Sequence, residues 1–164
     1  MKNLRLIPRK NIFPAPFDVS WLHRPTIKKL LFVLQSEGAE VFAVGGGVRD
    51  SFWKKKVEEI DLAINIDPIR VKHLVSKINC KVLDVGIEYG TVTVLLEGRK
   101  FEITSFRKDI NTFGRKAKVQ YTDNLKEDAK RRDFTFNTIY LNPNDLIIDP
   151  LENFSDLSSG KVKF

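Results

Sequence analysis

The sequence VFAVGGGVRD at residues 41–50 decides how this chain folds. Its first four residues are apolar and predict a short buried strand, and the three glycines after them predict a tight turn into a helix from Val48 to about Lys55. Glycine lets backbone amides approach a ligand closely, and the first turn of a helix attracts anions. The turn is therefore either a phosphate-binding site or an ordinary connection between a strand and a helix.

Strands and helices are predicted on both sides of this turn. Apolar residues at helical spacing predict a helix over 26–37, and Asp67-Pro68 predicts the start of another that ends near Ile78. A further helix is expected from Asn124 through at least the first half of the stretch to Tyr140. The remaining predicted strands are 59–64, 81–85, 91–96, 100–106 and 146–148, with a turn at 97–99. This order predicts an α/β (α+β) fold in which helices flank a mixed sheet.

The chain is expected to consist of an arm and one domain. Residues 1–25 contain three prolines before Pro25 and scattered aromatic residues, which is typical of an extended arm that lies on a domain. Residues 26–164 are expected to form the domain, because a chain of 164 residues suits one hydrophobic core.

Composition excludes several classes of protein. Hydrophobic residues make up 42% and charged residues 30%, which is the range of globular proteins and not of disordered tails. No apolar run is long enough for a membrane span or a signal peptide, so a cytoplasmic location without membrane contact is expected. A single cysteine and two histidines exclude a disulfide framework and a Cys/His zinc centre. Any bound metal would therefore be held by oxygen.

Positive charge is concentrated in two stretches of the sequence. The chain has a formal net charge of +7, with +6 in residues 1–31, −1 in 32–103, +4 in 104–135 and −2 in 136–164. Two basic stretches around a near-neutral middle suit a polyanionic ligand such as RNA or a nucleoside triphosphate. RNA binding of this kind would be sensitive to salt and tolerant of sequence. The alternative is a basic, solvated surface without a partner.

Two carboxylates begin the strand that follows the glycine turn. Because strand side chains alternate, Glu59 and Asp61 are expected on one face while Ile60 points into the core. Residues two apart in a strand have Cα atoms about 6 to 7 Å apart, so these carboxylates could converge on two divalent ions. Glu102, in another alternating strand, is a third candidate. The alternative is that Glu59 and Asp61 lie on the solvent face of the strand.

In the sequence EDAKRRDFTFN at residues 127–137, a run of charged residues is followed by polar residues that alternate with aromatic ones. It could be an exposed helix with ion pairs between successive turns, such as Glu127 with Arg131. However, the charges end at Asp133, and Thr135 and Asn137 then alternate with aromatic residues. Polar groups in such surroundings usually have a hydrogen-bonding role. An arginine in this stretch could bind a triphosphate through two hydrogen bonds.

Seven motifs occur in order along the chain: GGGVRD (45–50), EIDLA (59–63), YGTVTV (89–94), FEITSFRKD (101–109), GRKAKVQYTD (114–123), EDAKRRDFTFN (127–137) and IDP (148–150). Together they resemble the catalytic head domain of class II tRNA nucleotidyltransferases, the CCA-adding enzymes, and of the related bacterial poly(A) polymerases. The resemblance covers about residues 20–164. Several motifs in the right order and spacing make it far more specific than any one motif.

The resemblance implies a polymerase-β-type nucleotidyltransferase fold and an RNA 3′ end, such as that of tRNA, as substrate. It implies that Glu59, Asp61 and Glu102 are catalytic, with Glu59 and Asp61 holding two magnesium or manganese ions. One ion would activate the 3′ hydroxyl and the other would stabilise the departing pyrophosphate. The residues that the resemblance assigns to binding of ATP or CTP are Gly45, Gly46, Arg49, Asp50, Arg107, Asp128, Arg131, Arg132, Asp133 and Asn137.

The chain departs from the family pattern at two residues and in length. The family usually carries aspartate at the position of Glu59 and an acidic residue at that of Phe113. It also continues into neck, body and tail domains, so we expect an exposed neck-facing surface that could bind a partner or a second copy. Two other interpretations remain open. The chain could bind nucleotide or RNA without turnover, or it could be one half of a split enzyme. The sequence does not distinguish CCA addition from poly(A) addition.

Overall fold

An eight-stranded sheet forms the centre of the computed structural model, which describes residues 2–110, 118–161 and 163. The strands of these residues are β1 (Ile12–Pro14), β2 (Val41–Val44), β3 (Ile60–Ile64), β4 (Lys81–Leu83), β5 (Thr91–Leu96), β6 (Arg99–Ser105), β7 (Arg107–Ile110), β8 (Lys118–Tyr121), β9 (Tyr140–Leu141) and β10 (Leu146–Ile148). Across the sheet the order is β1-β10-β9-β2-β3-β6-β5-β4, and β7 and β8 form a separate hairpin. Only the β3–β6 pair is parallel among these described strands. The predicted mixed sheet is confirmed.

Helices flank the sheet, as the sequence predicts. They are α1 (Lys2–Leu6), α2 (Pro25–Gln35), α3 (Gly46–Phe52), α4 (Pro68–Val75), α5 (Leu125–Lys130) and α6 (Phe154–Ser158). The predicted start of α4 is confirmed, since the Asp67 carboxylate accepts a hydrogen bond from the Arg70 amide at 3.0 Å. Of the described helices, none has both the length and the apolar character to cross a membrane.

Both faces of the sheet are buried, and the alternation of side chains in β2 shows how. Val41 and Ala43 belong to the apolar cluster that includes residues of α2 and α4, whereas Phe42 and Val44 belong to the cluster that includes residues of α5. In β3 the second face carries Ala63 and therefore also Asp61, which is two residues earlier. Asp61 thus lies on the α5 side of the sheet.

The first 25 residues differ from the predicted extended arm. They contain α1, two short 3₁₀ turns at 9–11 and 20–23, and strand β1, which extends the sheet by pairing antiparallel with β10. Trp21 and Leu22 are buried in the main apolar cluster. The prolines interrupt regular structure in this segment without keeping it off the domain, because Ile7, Val19, Trp21 and Leu22 are buried.

The stretch from Asn124 to Tyr140 is helical in its first part, as expected, but it contains three elements. Helix α5 ends at Lys130, a 3₁₀ turn spans 135–138, and Tyr140 begins β9. Strands β1, β7, β8 and β9 were missed by the sequence analysis, because strands of two to four residues carry little periodicity. Phe113 and the start of the 114–123 motif lie outside the described residues.

A buried asparagine attaches α1 to the rest of the domain. The side-chain amide of Asn3 donates to the Glu40 carboxylate at 2.8 Å and to the Asp123 carbonyl at 2.9 Å. Its side-chain oxygen accepts from the Leu125 amide, also at 2.9 Å. Asn3 therefore links the start of the chain to β2 and α5.

We expect Asn3→Ala to lower the free energy of unfolding by about 1–3 kcal/mol, because it leaves the buried Leu125 amide without its acceptor and removes one of the hydrogen bonds to the Glu40 carboxylate, which keeps those from the backbone amide of residue 3. Urea denaturation of both proteins measures the change. Asn144→Ala, at an exposed position, is the matched control and should change stability by less than about 0.5 kcal/mol. Equal effects of the two substitutions would show that α1 is not held by Asn3.

Candidate functional site

The turn between β2 and α3 brings the backbone against a carboxylate. Gly45 has φ 78° and ψ −137°, a conformation that residues with a side chain rarely adopt. A Cβ atom at Gly45 would lie 3.6 Å from Oδ2 of Asp61. Glycine at this position therefore permits the turn and keeps the space in front of Asp61 open.

Two of the three predicted carboxylates lie side by side on neighbouring strands. Asp61 of β3 and Glu102 of β6 are register partners in the parallel pair. Their neighbours Ile60 and Phe101 point into the main core, so both carboxylates lie on the opposite face. Glu59 comes immediately before β3 and is exposed. The expected core position of Ile60 is confirmed, whereas Glu59 lies outside the strand that was predicted to begin with it.

Within this group of carboxylates, the surroundings of Asp61 shift its pKa. Burial raises its pKa above the ordinary value, and the carboxylates of Glu102 and Glu59 raise it further. The cations Arg132 and Lys100 act in the opposite direction. Lys100 forms an ion pair of 3.1 Å with Glu102. The site therefore concentrates negative charge that nearby cations do not fully neutralise.

These carboxylates fit a divalent ion that is shared with a ligand. In the described part of the chain, no three Asp, Glu, His or Cys side chains are grouped so that they could hold an ion by themselves. Magnesium typically takes one or two carboxylates from a protein and completes its coordination with water and substrate phosphates. Glu59 and Asp61 match that use of oxygen ligands.

A cleft of about 230 Å³ lies in front of the glycine turn. Its walls come from the turn and α3 on one side and from the approach to β3 on the other. The residues that line it are Gly46, Gly47, Arg49, Asp50, Lys56, Glu58, Glu59 and Asp61. The structure therefore brings five of the predicted site residues together in one cleft: Gly46, Arg49, Asp50, Glu59 and Asp61. Gly45 and Glu102 do not line it.

Arg49 is held in the cleft by an ion pair and two aromatic rings. Its guanidinium lies 3.0 Å from the Asp50 carboxylate. It also lies 5.8 Å from the ring centre of Trp53 and 5.6 Å from that of Phe136. The sequence analysis did not identify Trp53 or Phe136 as site residues. The alternation of aromatic and polar residues at 134–137 was the only signal for Phe136.

A second group of predicted residues is organised around the buried carboxylate of Asp128. Arg131 approaches one carboxylate oxygen and Arg132 the other, each with a terminal nitrogen at 3.0 Å. The Tyr140 hydroxyl donates to Asp128 at 2.7 Å, and the backbone amide of Arg107 donates to it at 3.2 Å. Asp128 therefore accepts hydrogen bonds from three elements and fixes both arginine side chains.

The ionisation of Asp128 follows from these contacts. Burial alone would raise its pKa, but Arg132 and Arg131, with the Tyr140 hydroxyl and the Arg107 amide, outweigh burial and lower it below the ordinary value. Burial raises the pKa of Tyr140, so its hydroxyl stays protonated and donates. Tyr140 was not predicted as a site residue, because it lies on a strand of only two residues, which carries no recognisable sequence pattern.

Asp133 and Asn137 do not line the cleft. Asp133 is exposed, and its backbone carbonyl accepts from the Asn137 side chain at 3.1 Å. Between them, Phe134 has φ 62° and its ring stacks on Phe136 at 5.4 Å. In this structure the two polar residues stabilise the turn that presents Phe136 to Arg49.

Arg107 carries an unpaired polar atom. Its Nε is buried and has no hydrogen-bond partner within the described residues, while a terminal nitrogen donates to the Tyr89 carbonyl. Arg107 lies at the start of the β7–β8 hairpin, next to Asp128. The structure thus places Arg107 with Arg131 and Arg132 rather than in the lining of the carboxylate cleft.

Most of the chain matches the model of a known protein family. Residues 41–163 match the family described as the poly(A) polymerase head domain. The match starts at β2 and includes every carboxylate and arginine of the site described above.

Similar curated proteins are CCA-adding enzymes. That of Enterococcus faecalis is 36% identical over 132 residues, which are 79% of this chain and 32% of that protein. That of Lactiplantibacillus plantarum is 36% identical over 152 residues, which are 92% of this chain and 35% of that protein. This chain therefore spans about a third of the length of the curated relatives it matches.

Similar solved structures have the same architecture. The Bacillus stearothermophilus CCA-adding enzyme in complex with CTP superposes with a TM-score of 0.72 at 29% identity, over 85% of this chain and 33% of that one. A tRNA nucleotidyltransferase complexed with a primer tRNA and an incoming ATP analogue gives 0.62 at 28% identity, over 79% of this chain and 36% of that one.

We expect Asp128→Asn to lower the free energy of unfolding at pH 7 by about 3 kcal/mol or more, because two buried guanidiniums lose their counter-charge. The native pKa of Asp128 lies below the ordinary 3.8, so its stabilising effect is complete above that pH and is lost as the pH falls through the native pKa.

Denaturation of parent and variant at pH 7 and pH 3 measures both effects. The difference between the two proteins should be smaller at pH 3. Asp133→Asn, which removes the same charge from an exposed side chain, should be nearly neutral. Comparable losses in the two variants would contradict the buried role of Asp128.

Proposed function

Because the chain belongs to the poly(A) polymerase head-domain family, we propose that it is the catalytic head of a template-independent nucleotidyltransferase. It transfers nucleotides from ATP or CTP to the 3′ end of an RNA. The observation that carries this proposal is the half-buried Asp61, which faces the glycine turn and has Glu102 beside it on β6. A tRNA 3′ end is the favoured acceptor, because the similar proteins are CCA-adding enzymes.

The proposal includes a divalent cation, magnesium, held by Glu59 and Asp61, with the Glu102 carboxylate beside Asp61 on β6. When bound, such ions lower the pKa of an attacking hydroxyl and stabilise charge on a leaving pyrophosphate. The concentration of negative charge around Asp61 supports this assignment. Lys100, through its ion pair with Glu102, limits the repulsion among the carboxylates.

Arg49 and the glycine turn bind and orient the triphosphate. Arg49 is positioned by Asp50, Trp53 and Phe136 and offers a guanidinium to phosphate oxygens. Gly46 carries no side chain in the cleft, so its backbone is accessible to phosphate. Preorganised positive charge of this kind stabilises the charge that develops during in-line attack on the α-phosphate.

Arg131 and Arg132 form the second half of the proposed nucleotide site. Asp128 holds both, and the charge of Arg132 also acts on Asp61. Arg132 is therefore placed to contact a nucleotide that occupies the cleft, while Asp128 acts through the arginines as a positioning residue. A cytoplasmic location belongs to the same proposal.

Incorporation of labelled ATP and CTP into a tRNA transcript that lacks its CCA end tests the proposed function. Magnesium-dependent extension by this chain supports it, and the order of incorporation distinguishes CCA addition from A-tailing. Retention of magnesium-dependent ATP binding without extension would instead support the interpretation that the chain binds nucleotide without turnover. The absence of both binding and extension would contradict the proposal.

We expect Asp61→Asn to abolish magnesium-dependent binding of ATP, because it removes the charge of the central carboxylate. The same substitution should raise the stability of the metal-free protein at pH 7, since it relieves the burial and repulsion that raise the pKa of Asp61. Calorimetric titration and thermal unfolding measure the two effects. Asp84→Asn, an exposed aspartate paired with Lys72, should change neither. Unchanged ATP binding in Asp61→Asn would defeat the metal assignment.

Glu59→Asp tests whether the longer side chain limits the site. Glu59 precedes the first residue of β3 and is exposed, so its extra methylene group places the carboxylate further from the strand. We expect the shorter aspartate to raise the rate of nucleotide transfer, because a misplacement of about 1 Å can cost on the order of 100-fold. Single-turnover kinetics measure the change. A slower variant would show that the site is adapted to glutamate.

A further inference from the structure

A second and larger cavity lies beside α3. Its volume is about 540 Å³, and it is formed between residues 16–24 and residues 51–57. Lys56 lines both this cavity and the carboxylate cleft, so the two adjoin at this side chain. A volume of this size falls in the range of cavities that bind small organic ligands. We call it the α3 cavity.

The base of the α3 cavity is fixed by buried hydrogen bonds. The indole nitrogen of Trp21 donates to the Ser51 hydroxyl at 2.6 Å, and that hydroxyl donates to the Gly47 carbonyl at 2.9 Å. Trp21 is 6% exposed. The part of the wall that comes from residues 16–24 is therefore hydrogen-bonded, through Ser51, to the glycine turn. The fold thus fixes the shape of the cavity.

Aromatic rings form one part of the lining. Phe17 and Phe52 meet edge to face with ring centres 5.7 Å apart, and both are half-buried. Phe52 packs in the same way on Phe154 at 6.2 Å. Such packing holds the rings in place, so their accessible parts can contact a planar group without rearrangement.

Positive charge forms the other part of the lining. Arg24, Lys54, Lys55 and Lys56 line the cavity together with a single acidic residue, Asp18. Across the described ranges, Arg24, Lys54 and Lys55 make no ion pair with an acidic side chain. Lys56 has only an exposed pair with Glu58, at 3.4 Å. Lys55 also lies 5.5 Å from the ring centre of Trp53. The cavity thus presents positive charge, most of it without a carboxylate partner among the described residues, beside aromatic rings.

We propose that the α3 cavity binds a nucleotide of the single-stranded RNA, upstream of the 3′ end that reaches Asp61. Lysine and arginine contact its phosphate, and the aromatic wall contacts its base or ribose. Single-stranded nucleic acids are bound by this combination of basic residues and rings, with little dependence on sequence. This assignment rests on the proposed function, because it requires a 3′ end in the neighbouring cleft.

RNA fits the observations better than other anions. An acidic peptide would use the lysines but not the aromatic wall. A free triphosphate would not require two cavities that adjoin at Lys56. An RNA strand uses both, since a chain that ends at the carboxylates must leave along a neighbouring surface.

Charge reversal at the cavity tests the phosphate contacts. In Lys54→Glu/Lys55→Glu we expect binding of an eight-nucleotide single-stranded oligoadenylate to weaken about tenfold or more at low salt, with a shallower dependence on salt. Magnesium-dependent ATP binding should stay within about twofold. The matched control is Lys81→Glu/Lys161→Glu, which reverses two exposed lysines outside the cavity. Equal weakening in both double variants, or none in the first, would overturn the proposal.

Tryptophan fluorescence tests occupancy directly. The chain has two tryptophans, so Trp53→Phe leaves Trp21 as the reporter of the cavity. We expect the oligoadenylate to quench Trp21, and Phe17→Leu to weaken that binding on the order of tenfold by removing a ring while it keeps side-chain volume. Thermal unfolding of Phe17→Leu checks that the fold is retained. No change in Trp21 emission at saturating RNA would overturn the assignment.

The two proposals fail in different ways. If the oligoadenylate quenches Trp21 but no nucleotide is transferred, the cavity is an RNA site and the proposed function is wrong. If nucleotides are transferred and the cavity variants bind RNA as the parent does, the cavity assignment alone is wrong. If a polyglutamate peptide quenches Trp21 with the same affinity, the cavity recognises charge only, and a nucleotide site is excluded.

Discussion

The parallel pairing of β3 with β6 is the constraint on which the site depends. It places Asp61 opposite Glu102 and fixes both on the same face of the sheet. Parallel neighbours need a long crossover connection, and here that connection contains α4 and the strands β4 and β5. A shift of one residue in the β3–β6 register would turn one carboxylate into the core. The apolar alternation at Ile60, Leu62 and Ile103 thus protects the geometry of the site as well as the stability of the sheet.

The sequence predicts the elements that have strong periodicity or clear end signals. The strand and glycine turn at 41–47, the start of α4 at Asp67 and the paired carboxylates are visible because each follows from local chemistry. The short strands β1 and β9 are not, since their residues adopt strand structure through pairing with distant partners. Tyr140 was missed for a related reason. The role of Tyr140 comes from an arginine and an aspartate that the fold brings to it. Trp53, in contrast, is four residues after Arg49 at the end of α3, and this helical spacing was an unused signal for their contact.

Asp128 shows why charge patterns alone are ambiguous. In the sequence, Asp128 and Arg132 look like one of the ion pairs that decorate an exposed helix. In the structure the helix turns this face inward, and Asp128 has no exposed side-chain surface. The same four-residue spacing can therefore belong to a weak ion pair on the surface or to a buried ion pair that positions other residues. The tertiary packing of α5 against the sheet decides between the two.

Strand β1 has a consequence for how the domain folds. It contains residues 12–14, yet its partner β10 contains residues 146–148, so the paired strands are separated by most of the domain's sequence. Contacts so distant in sequence form late and fold slowly. Until they form, β10 presents an unpaired edge to other chains. During folding, the domain therefore passes through a stage at which the sheet is open at this border and can pair with a second copy.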